Sequence, residues 1–316
     1  MKRFLFGPVN SRRLGRSLGI DLLPFKTCTL DCVYCECGWT TDQTLRRAEL
    51  VPTHQVIAEL DDYLAARPPL DYVTFSGAGE PTLHTGIGVV IGHLKRHYPH
   101  YPVAVLTNGT LLGDPEVQAQ LAAADLVVPS LDGATPAAFR AICRPAAGLT
   151  VDAVIEGIAA FRRGFPGLLL LEVFLVPGQN DRPEELAALK QAATLIAPDA
   201  IQLNSLDRPA PHPGVAPPGD AALQRVRDFL YPLQVQAVRR RGPGELAPWD
   251  NPELFQEIAA VLARGPTSLP RLAVATGIRA SDLAKTLAQM VRQSLVQCRH
   301  DRGEWCIAPM YDADSE

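Results

Sequence analysis

The 316-residue sequence contains no apolar run long enough to span a bilayer, and residues 1–7 lack the apolar core of a signal peptide. Cations are not in excess, because the formal net charge is −4, which excludes a global basic field that would attract nucleic acid. The seven cysteines are an odd number with three of them close together, unlike a disulfide framework. We therefore expect a cytoplasmic protein in a reducing compartment, without a membrane partner.

Three cysteines, Cys28, Cys32 and Cys35, follow the spacing C-x3-C-x2-C. Three thiolates can hold three irons of a 4Fe–4S cluster and leave the fourth iron without a protein ligand. An iron that is open in this way is a reaction site, because a substrate can coordinate it. Two alternatives compete with this interpretation: buried cysteines that act as small hydrophobic residues, and a zinc site completed by Cys37.

Apolar strand-like runs alternate with helical patterns over the first two-thirds of the chain. This alternation predicts a parallel sheet in an α/β fold, and six units favour a partial (β/α)6 barrel of the TIM type. The predicted strands are Leu18–Leu23, Tyr72–Phe75, Val103–Leu106, Leu126–Val128, Leu168–Val176 and Ile201–Leu203. The predicted helices are Thr53–Ala66, Ile87–Tyr98, Pro115–Ala123, Val151–Phe161 and Pro183–Ile196, and a helix near Asp220–Leu230 and a strand near Leu233–Val238 complete the domain.

A polar motif that contains glycine or a turn residue follows each predicted strand. Loops at the carboxyl ends of barrel strands converge on one face, so we expect these motifs to share an active site. The motifs are Cys28–Cys35, Ser76–Pro81, Thr107–Gly109, Ser130–Gly133, Pro177–Asn180 and Asn204–Pro209.

The cysteine spacing, with Tyr34 just before the third cysteine, resembles the signature of the radical S-adenosylmethionine (SAM) superfamily. The lead-in segment 6–21 resembles the group of that superfamily that contains the wyosine-base synthases of tRNA. The resemblance implies a cluster on the three cysteines, SAM on the open iron, and reductive cleavage of SAM to a 5′-deoxyadenosyl radical that abstracts hydrogen from a substrate. It also implies an electron donor such as flavodoxin or ferredoxin.

The resemblance further implies roles for residues in three of these loops. Tyr34 would lie against the adenine of SAM, unless it only packs under the cysteine loop. Backbone carbonyls around Gly77, Gly79 and Glu80 would accept hydrogen bonds from the α-ammonium of SAM, although a Gly-x-Gly sequence by itself is more often a turn. The segment that begins near Pro177 resembles the one that brackets the adenine.

Small polar residues at the strand ends are further candidate contacts. Asn108, Ser130 and Asp132 would bind the ribose hydroxyls or the carboxylate of SAM, as similar positions do in the family, or else cap the helices that follow. Gln202 and Asn204 occupy alternate positions of the sixth strand and share one side of it. We expect that side to be the barrel interior, where SAM or the substrate could satisfy both amides.

The N-terminal residues Lys2, Arg3, Arg12, Arg13 and Arg16 form a basic cluster that adjoins the cysteine loop. A charge run of this kind is usually a solvated face. Contact with an anionic substrate is the alternative.

Residues 239–250 are rich in glycine, proline and charge and are predicted to be a linker. The expected domains are thus a core at 1–238 and a small module at 251–316. Helical patterns at Pro252–Arg264, Leu269–Thr276 and Ala280–Ser294, followed by a hairpin, resemble a winged helix-turn-helix. The third helix carries few cations, so we expect the module to dock a substrate or partner and DNA binding is not expected.

These features predict a radical SAM enzyme that acts on an unidentified substrate, with tRNA or a nucleobase suggested by the resemblance. The wyosine reaction itself is not expected, because the synthases carry a second cluster on upstream cysteines and no cysteine precedes Cys28. One alternative is radical modification of a protein or peptide docked on the winged module. Another is a DNA-binding regulator that uses the cluster to sense SAM or redox state.

Overall fold

The described residues of the computed structural model contain two large hydrophobic cores and a third, small cluster around Leu14. One runs through residues 4–235 and the other through residues 254–307. The structure describes residues 3–206, 210, 212, 214–238, 252–263, 265–278, 283, 286, 287, 290, 291, 295–301 and 304–310. The predicted linker 239–250 lies outside the described residues, so the domain boundaries stay predictions.

The larger core surrounds an eight-stranded sheet in the order β1-β2-β5-β6-β7-β8-β9-β10. Its strands are β1 (Leu5–Ser11), β2 (Gly15–Ile20), β5 (Tyr72–Phe75), β6 (Val103–Thr107), β7 (Leu126–Pro129), β8 (Leu168–Phe174), β9 (Ala200–Asn204) and β10 (Val235–Ala237), and the short pair β3 (Thr27–Cys28) and β4 (Asp42–Gln43) lies outside this sheet. All neighbouring strands from β2 to β10 pair in parallel. The predicted α/β fold with a parallel, partial-barrel sheet is confirmed.

Helices connect the parallel strands, as the alternation of patterns predicted. They are α1 (Thr53–Leu64), α2 (Ile87–His97), α3 (Pro115–Leu121), α4 (Pro136–Ala138), α5 (Val151–Gly164), α6 (Pro183–Ile196) and α7 (Asp220–Leu230). A side-chain cap and a first-turn proline contribute to these boundaries: the side chain of Asp114 accepts a hydrogen bond from the N–H of Glu116 at 2.8 Å, and Pro183 starts α6. In the described part of the chain, none of the helices has both the length and the apolar character needed to cross a bilayer.

The sequence patterns did not predict the antiparallel hairpin that β1 forms with β2. Pairing with β1 begins at Gly15, so β2 starts and ends three residues before the predicted strand Leu18–Leu23. The hairpin turn lies at the amino ends of the parallel strands, where Leu14 packs with Ala104, Leu126 and Val128. Ala104, Leu126 and Val128 alternate along β6 and β7 with the residues that face the helices, so they face the barrel interior. The turn of the hairpin therefore fills the amino end of that interior.

The smaller core is formed by the C-terminal module. Its described elements are α8 (Pro252–Leu262), β11 (Thr267–Ser268), α9 (Leu269–Thr276), β12 (Val296–Asp301) and β13 (Glu304–Pro309), and the three strands pair in the order β11-β13-β12. The predicted third helix is described only at 283, 286, 287, 290 and 291, where the backbone is helical. Leu283, Leu287 and Met290 are buried there. The winged helix-turn-helix assignment stays a prediction.

Leu14→Ala tests the packing of the hairpin turn. Leu14 is 6% exposed, and truncation should leave a cavity that lowers the free energy of unfolding by about 2–4 kcal/mol. Leu195→Ala, at a position that is 59% exposed, is the matched control and should change it by less than about 0.5 kcal/mol. Urea denaturation of the cluster-free proteins measures both changes. Equal denaturation midpoints for the wild type and Leu14→Ala would contradict the proposed packing.

Candidate active site at the carboxyl ends of the strands

The cysteine loop is held by backbone hydrogen bonds on both sides. Cys28 ends the short strand β3, which pairs with β4. Cys32 and Cys35 form a turn in which the N–H of Cys35 donates to the carbonyl of Cys32 at 3.1 Å. Further N–H groups of the loop donate to carbonyls of the segment 142–144. All three cysteines are partly exposed and none of them is in a disulfide, so they are available as ligands.

The arrangement of the thiols argues against a single zinc ion. In the described ranges, no three His, Cys, Asp or Glu side chains are arranged so that they could hold one metal ion. Tetrahedral zinc needs its sulfurs within about 4 Å of one another. A 4Fe–4S cluster places each thiolate on a separate iron and so tolerates wider spacing. Cys37, the alternative fourth ligand, has its Sγ 4.0 Å from the carbonyl oxygen of Gly77. The donor set therefore fits a cluster better than zinc.

Lys26 is a site residue that the sequence patterns did not identify. It is 2% exposed, and its Nζ donates to Cys35 Sγ at 3.1 Å. Burial disfavours the ammonium, but the neighbouring thiols of Cys35 and Cys37 outweigh it and raise the pKa of Lys26 above its ordinary value. Hydrogen bonds from Cys37 and Lys26 lower the pKa of Cys35 to about 5. Cys35 is therefore a thiolate at neutral pH, which is the form that binds iron.

The glycines of the loop after β5 lie against other protein segments. A side chain at Gly79 would overlap the carbonyl oxygen of Thr27, and one at Gly77 would overlap the carboxylate of Asp21. Close approach of two segments therefore requires glycine at both positions. This brings the loop after β5 against the start of the cysteine loop. The predicted contact of these glycines with SAM stays a prediction.

The carboxylate of Glu80 connects the ends of β5 and β6. Glu80 is 1% exposed and accepts four hydrogen bonds: from the N–H and Oγ1 of Thr82 at 3.0 and 2.5 Å, from Thr107 Oγ1 at 2.6 Å and from the N–H of Asn108 at 2.7 Å. Burial raises the pKa of this carboxyl above its ordinary value. The Glu80 side chain thus positions the strand ends, a role that the sequence analysis did not predict.

Asn108 extends this connection to the cysteine loop. Its Nδ2 donates to Thr29 Oγ1 at 2.8 Å and lies 3.5 Å from Cys28 Sγ. Its Oδ1 accepts hydrogen bonds from the N–H and the hydroxyl of Thr110 at 3.1 and 2.7 Å. The side chain therefore does not cap α3, which was the alternative, and instead supports the loop beside the first cysteine.

The partly buried Tyr34 pairs with the buried Asp132 beneath the cysteine loop. The hydroxyl of Tyr34 donates to Asp132, and its ring stacks on Phe174 with centroids 3.9 Å apart. The other carboxylate oxygen of Asp132 accepts the N–H of Phe174 at 2.6 Å. Burial raises the pKa of Asp132 to about 6. Both oxygens of Asp132 thus have protein partners, and Thr135 is the cap of α4, so the helix-capping alternative for Asp132 is wrong.

A polar set faces the barrel interior at the level of β8. Glu172 is 9% exposed and accepts hydrogen bonds from Asn204 Nδ2 at 3.2 Å and Ser130 Oγ at 3.4 Å, and it forms an ion pair with Arg13 from the hairpin turn. Gln202 is 7% exposed, and its Oε1 has no hydrogen-bond partner among the described residues. The prediction that Gln202 and Asn204 are buried together is therefore in agreement with the structure, and Gln202 still needs a donor.

The loop after β8 places Pro177 at the surface and Asn180 inside. Asn180 is fully buried, accepts the N–H of Val176 at 2.8 Å and donates to the carbonyls of Asp132 and Phe174 at 2.8 and 2.7 Å. Asn180 therefore holds the loop after β8 against the Tyr34–Asp132 pair. The predicted contact of Pro177 with SAM stays a prediction.

Two of the missed residues did have a signal in the sequence. Glu172 is the only charged residue in the apolar run 168–176, and Lys26 is the only one in 22–30. A lone charge in such a run must find a buried partner, which marks both positions as candidates. Arg13 had no comparable signal, because it lies among other arginines.

The chain matches the radical SAM superfamily over residues 22–189 and belongs to it. A UPF0026 protein from Synechocystis is 36% identical over 66% of this chain and 77% of its own length. A protein named GTPase Obg from Brachyspira hyodysenteriae is 32% identical over 93% of this chain, which spans only 43% of that relative. A radical SAM methyltransferase from Sphaerobacter thermophilus shares the fold, with a TM-score of 0.54 at 15% identity over 72% of this chain and 67% of its own.

The protein is thus a radical SAM iron–sulfur enzyme, and its cofactors are a 4Fe–4S cluster and SAM. Within the superfamily, its relatives include UPF0026 proteins. The finer likeness to the wyosine-base synthases stays a prediction.

Glu80→Ala tests whether Glu80 has a structural role. Four donors would lose their partner in a buried site, so we expect the free energy of unfolding to fall by about 3 kcal/mol even without cluster or SAM. Glu156→Ala, on the exposed face of α5, is the control and should change it by less than about 0.5 kcal/mol. Urea denaturation of the cluster-free proteins measures this, and an unchanged midpoint for Glu80→Ala would restrict Glu80 to ligand binding.

Proposed function

We propose that Cys28, Cys32 and Cys35 each ligate one iron of the cluster and leave the fourth iron for SAM. The observation that carries this proposal is the placement of three accessible thiols on one loop, against the loops that follow β5 and β6. Cys37 also lies against Cys35, but it is not assigned as a ligand, because a fourth thiolate would block the open iron. When bound, the reduced cluster and SAM together supply a 5′-deoxyadenosyl radical that abstracts hydrogen from the substrate.

SAM would occupy the space above the strand ends, where the candidate contacts converge. Direct contacts are proposed for the backbone near Gly77 and Gly79 and for Tyr34, Ser130 and Asn204, with Pro177 at the rim. Glu80, Asn108 and Asp132 are proposed to act mainly by positioning, because their side chains hold the strand ends, the cysteine loop and Tyr34 in place. In this arrangement Phe174 covers one face of Tyr34 and leaves the other for the adenine.

The barrel interior is the proposed place for the reacting end of the substrate. Gln202 lies directly opposite Glu172 in the β8–β9 register. Glu172 is already paired with Arg13, Asn204 and Ser130, whereas Gln202 Oε1 has no hydrogen-bond partner among the described residues. That acceptor suits an N–H or O–H donor on the substrate. A nucleobase offers N–H groups at its edge, and we favour a tRNA or nucleobase substrate on this ground together with the family resemblance. The C-terminal module would dock the substrate or a partner.

The cluster ligands can be tested by composition. After anaerobic reconstitution, the wild-type chain should contain about four irons and four sulfides. The triple variant Cys28→Ala, Cys32→Ala, Cys35→Ala should lose nearly all of both, because no thiolate would remain on the loop to hold the irons. Cys37→Ala should keep the wild-type content. A full cluster in the triple variant, or its loss in Cys37→Ala, would show that the assignment is wrong.

SAM cleavage can be tested without the substrate. The dithionite-reduced protein should form 5′-deoxyadenosine from SAM slowly, because one coordination position on the cluster is free of protein ligands. Liquid chromatography measures the nucleoside, and the triple cysteine variant is the control. Removal of residues 250–316 should leave this reaction unchanged if the module only docks the substrate. Zinc in place of iron, with no nucleoside formed, would support the zinc alternative.

A further inference from the structure

Lys26 is a buried cation whose partner is a cysteine sulfur. It ranks among the largest fully buried side chains of the described protein, and its one recorded side-chain hydrogen bond is to Cys35 Sγ at 3.1 Å. Among the described residues it makes no ion pair with a carboxylate. An unpaired ammonium in the interior would cost roughly several kcal/mol. The negative partner of Lys26 must therefore be the thiolate of Cys35. Among the described residues, the side chain of Lys26 is therefore matched to the cysteine loop.

The backbone also holds Lys26 in an unusual conformation. Its φ is +58°, in the left-handed region, which costs a residue with a side chain about 1 kcal/mol. Its carbonyl accepts hydrogen bonds from the N–H groups of Thr41 and Asp42, both at 3.1 Å, and this closes the base of the cysteine loop. Such strain persists only where the surroundings determine it. The loop is therefore built so that the side chain of residue 26 turns inward, toward Cys35.

We propose that Lys26 sets the reduction potential of the cluster by favouring its reduced form. Reduction adds one electron and hence one negative charge to the cluster. Net charge and hydrogen bonds to the sulfurs are two of the factors that determine this potential. A fixed ammonium against the sulfur of a ligand attracts the added charge strongly in a buried site. Lys26 would thus make the cluster easier to reduce by its electron donor. The inference rests on the proposed ligand Cys35.

The test is a redox titration of reconstituted protein, followed by electron paramagnetic resonance. Lys26→Met removes the charge and the donor. At a fixed solution potential, we expect its ratio of reduced to oxidised cluster to fall about tenfold or more, which is a midpoint about 59 mV more negative for a one-electron couple. Lys26→Gln keeps a hydrogen-bond donor without the charge, so its midpoint potential should lie between those of the wild type and Lys26→Met. Lys26→Arg keeps the charge and the donor, so its midpoint potential should remain near that of the wild type.

Lys95→Met is the matched control. Lys95 pairs with Asp125 at the amino ends of the strands, so its removal should leave the midpoint unchanged. Equal midpoints for wild type and Lys26→Met would overturn the inference. If Lys26→Met does not fold, the midpoint of Lys26→Gln is compared with the wild type instead, and equal midpoints would again overturn the inference. If both fold but take up no iron, Lys26 serves cluster retention and the inference is wrong. A wild-type chain that binds no cluster would instead refute the ligand assignment.

Discussion

The buried carboxylate of Glu80 connects the segments on which the proposed site depends. Through Thr82 it holds the glycine loop after β5, and through Thr107 and Asn108 it holds the end of β6. Asn108 then reaches Thr29 beside the first cysteine. A charged group in the interior is stable only when all of its acceptor positions are used. The same requirement that satisfies Glu80 therefore fixes the distance between the strand ends and the cysteine loop.

Charges of both signs are built into this end of the barrel. Lys26 lies under the cysteine loop, and the Glu172–Arg13 pair lies in the interior below the strand ends. The interior of a closed barrel is normally filled by branched apolar side chains. Here the hairpin turn fills the amino end with Leu14, and the polar set lies nearer the carboxyl end. The polar set therefore lies on the side of the interior that is nearer to the proposed SAM site.

Several candidate residues have a different role from the one that their motif indicates. Asp132 and Asn108 are typical of ligand contacts at strand ends, yet their side chains bond to protein groups that position Tyr34 and Cys28. The site therefore depends on a layer of polar residues behind those that would touch SAM. Preorganisation of this kind lowers the entropy that must be lost when a cofactor binds.

The sequence alone determined the parallel α/β fold, the approximate bounds of its strands and helices, and the cysteine motif, because these follow from local periodicity, caps and spacing. It could not determine the hairpin β1–β2, because antiparallel pairing with a following strand has no periodic signal of its own there. It also could not assign partners to Lys26, Glu172 and Arg13. Only the tertiary structure decided these, because the partner of a buried charge is set by residues that are distant in the chain and adjacent in space.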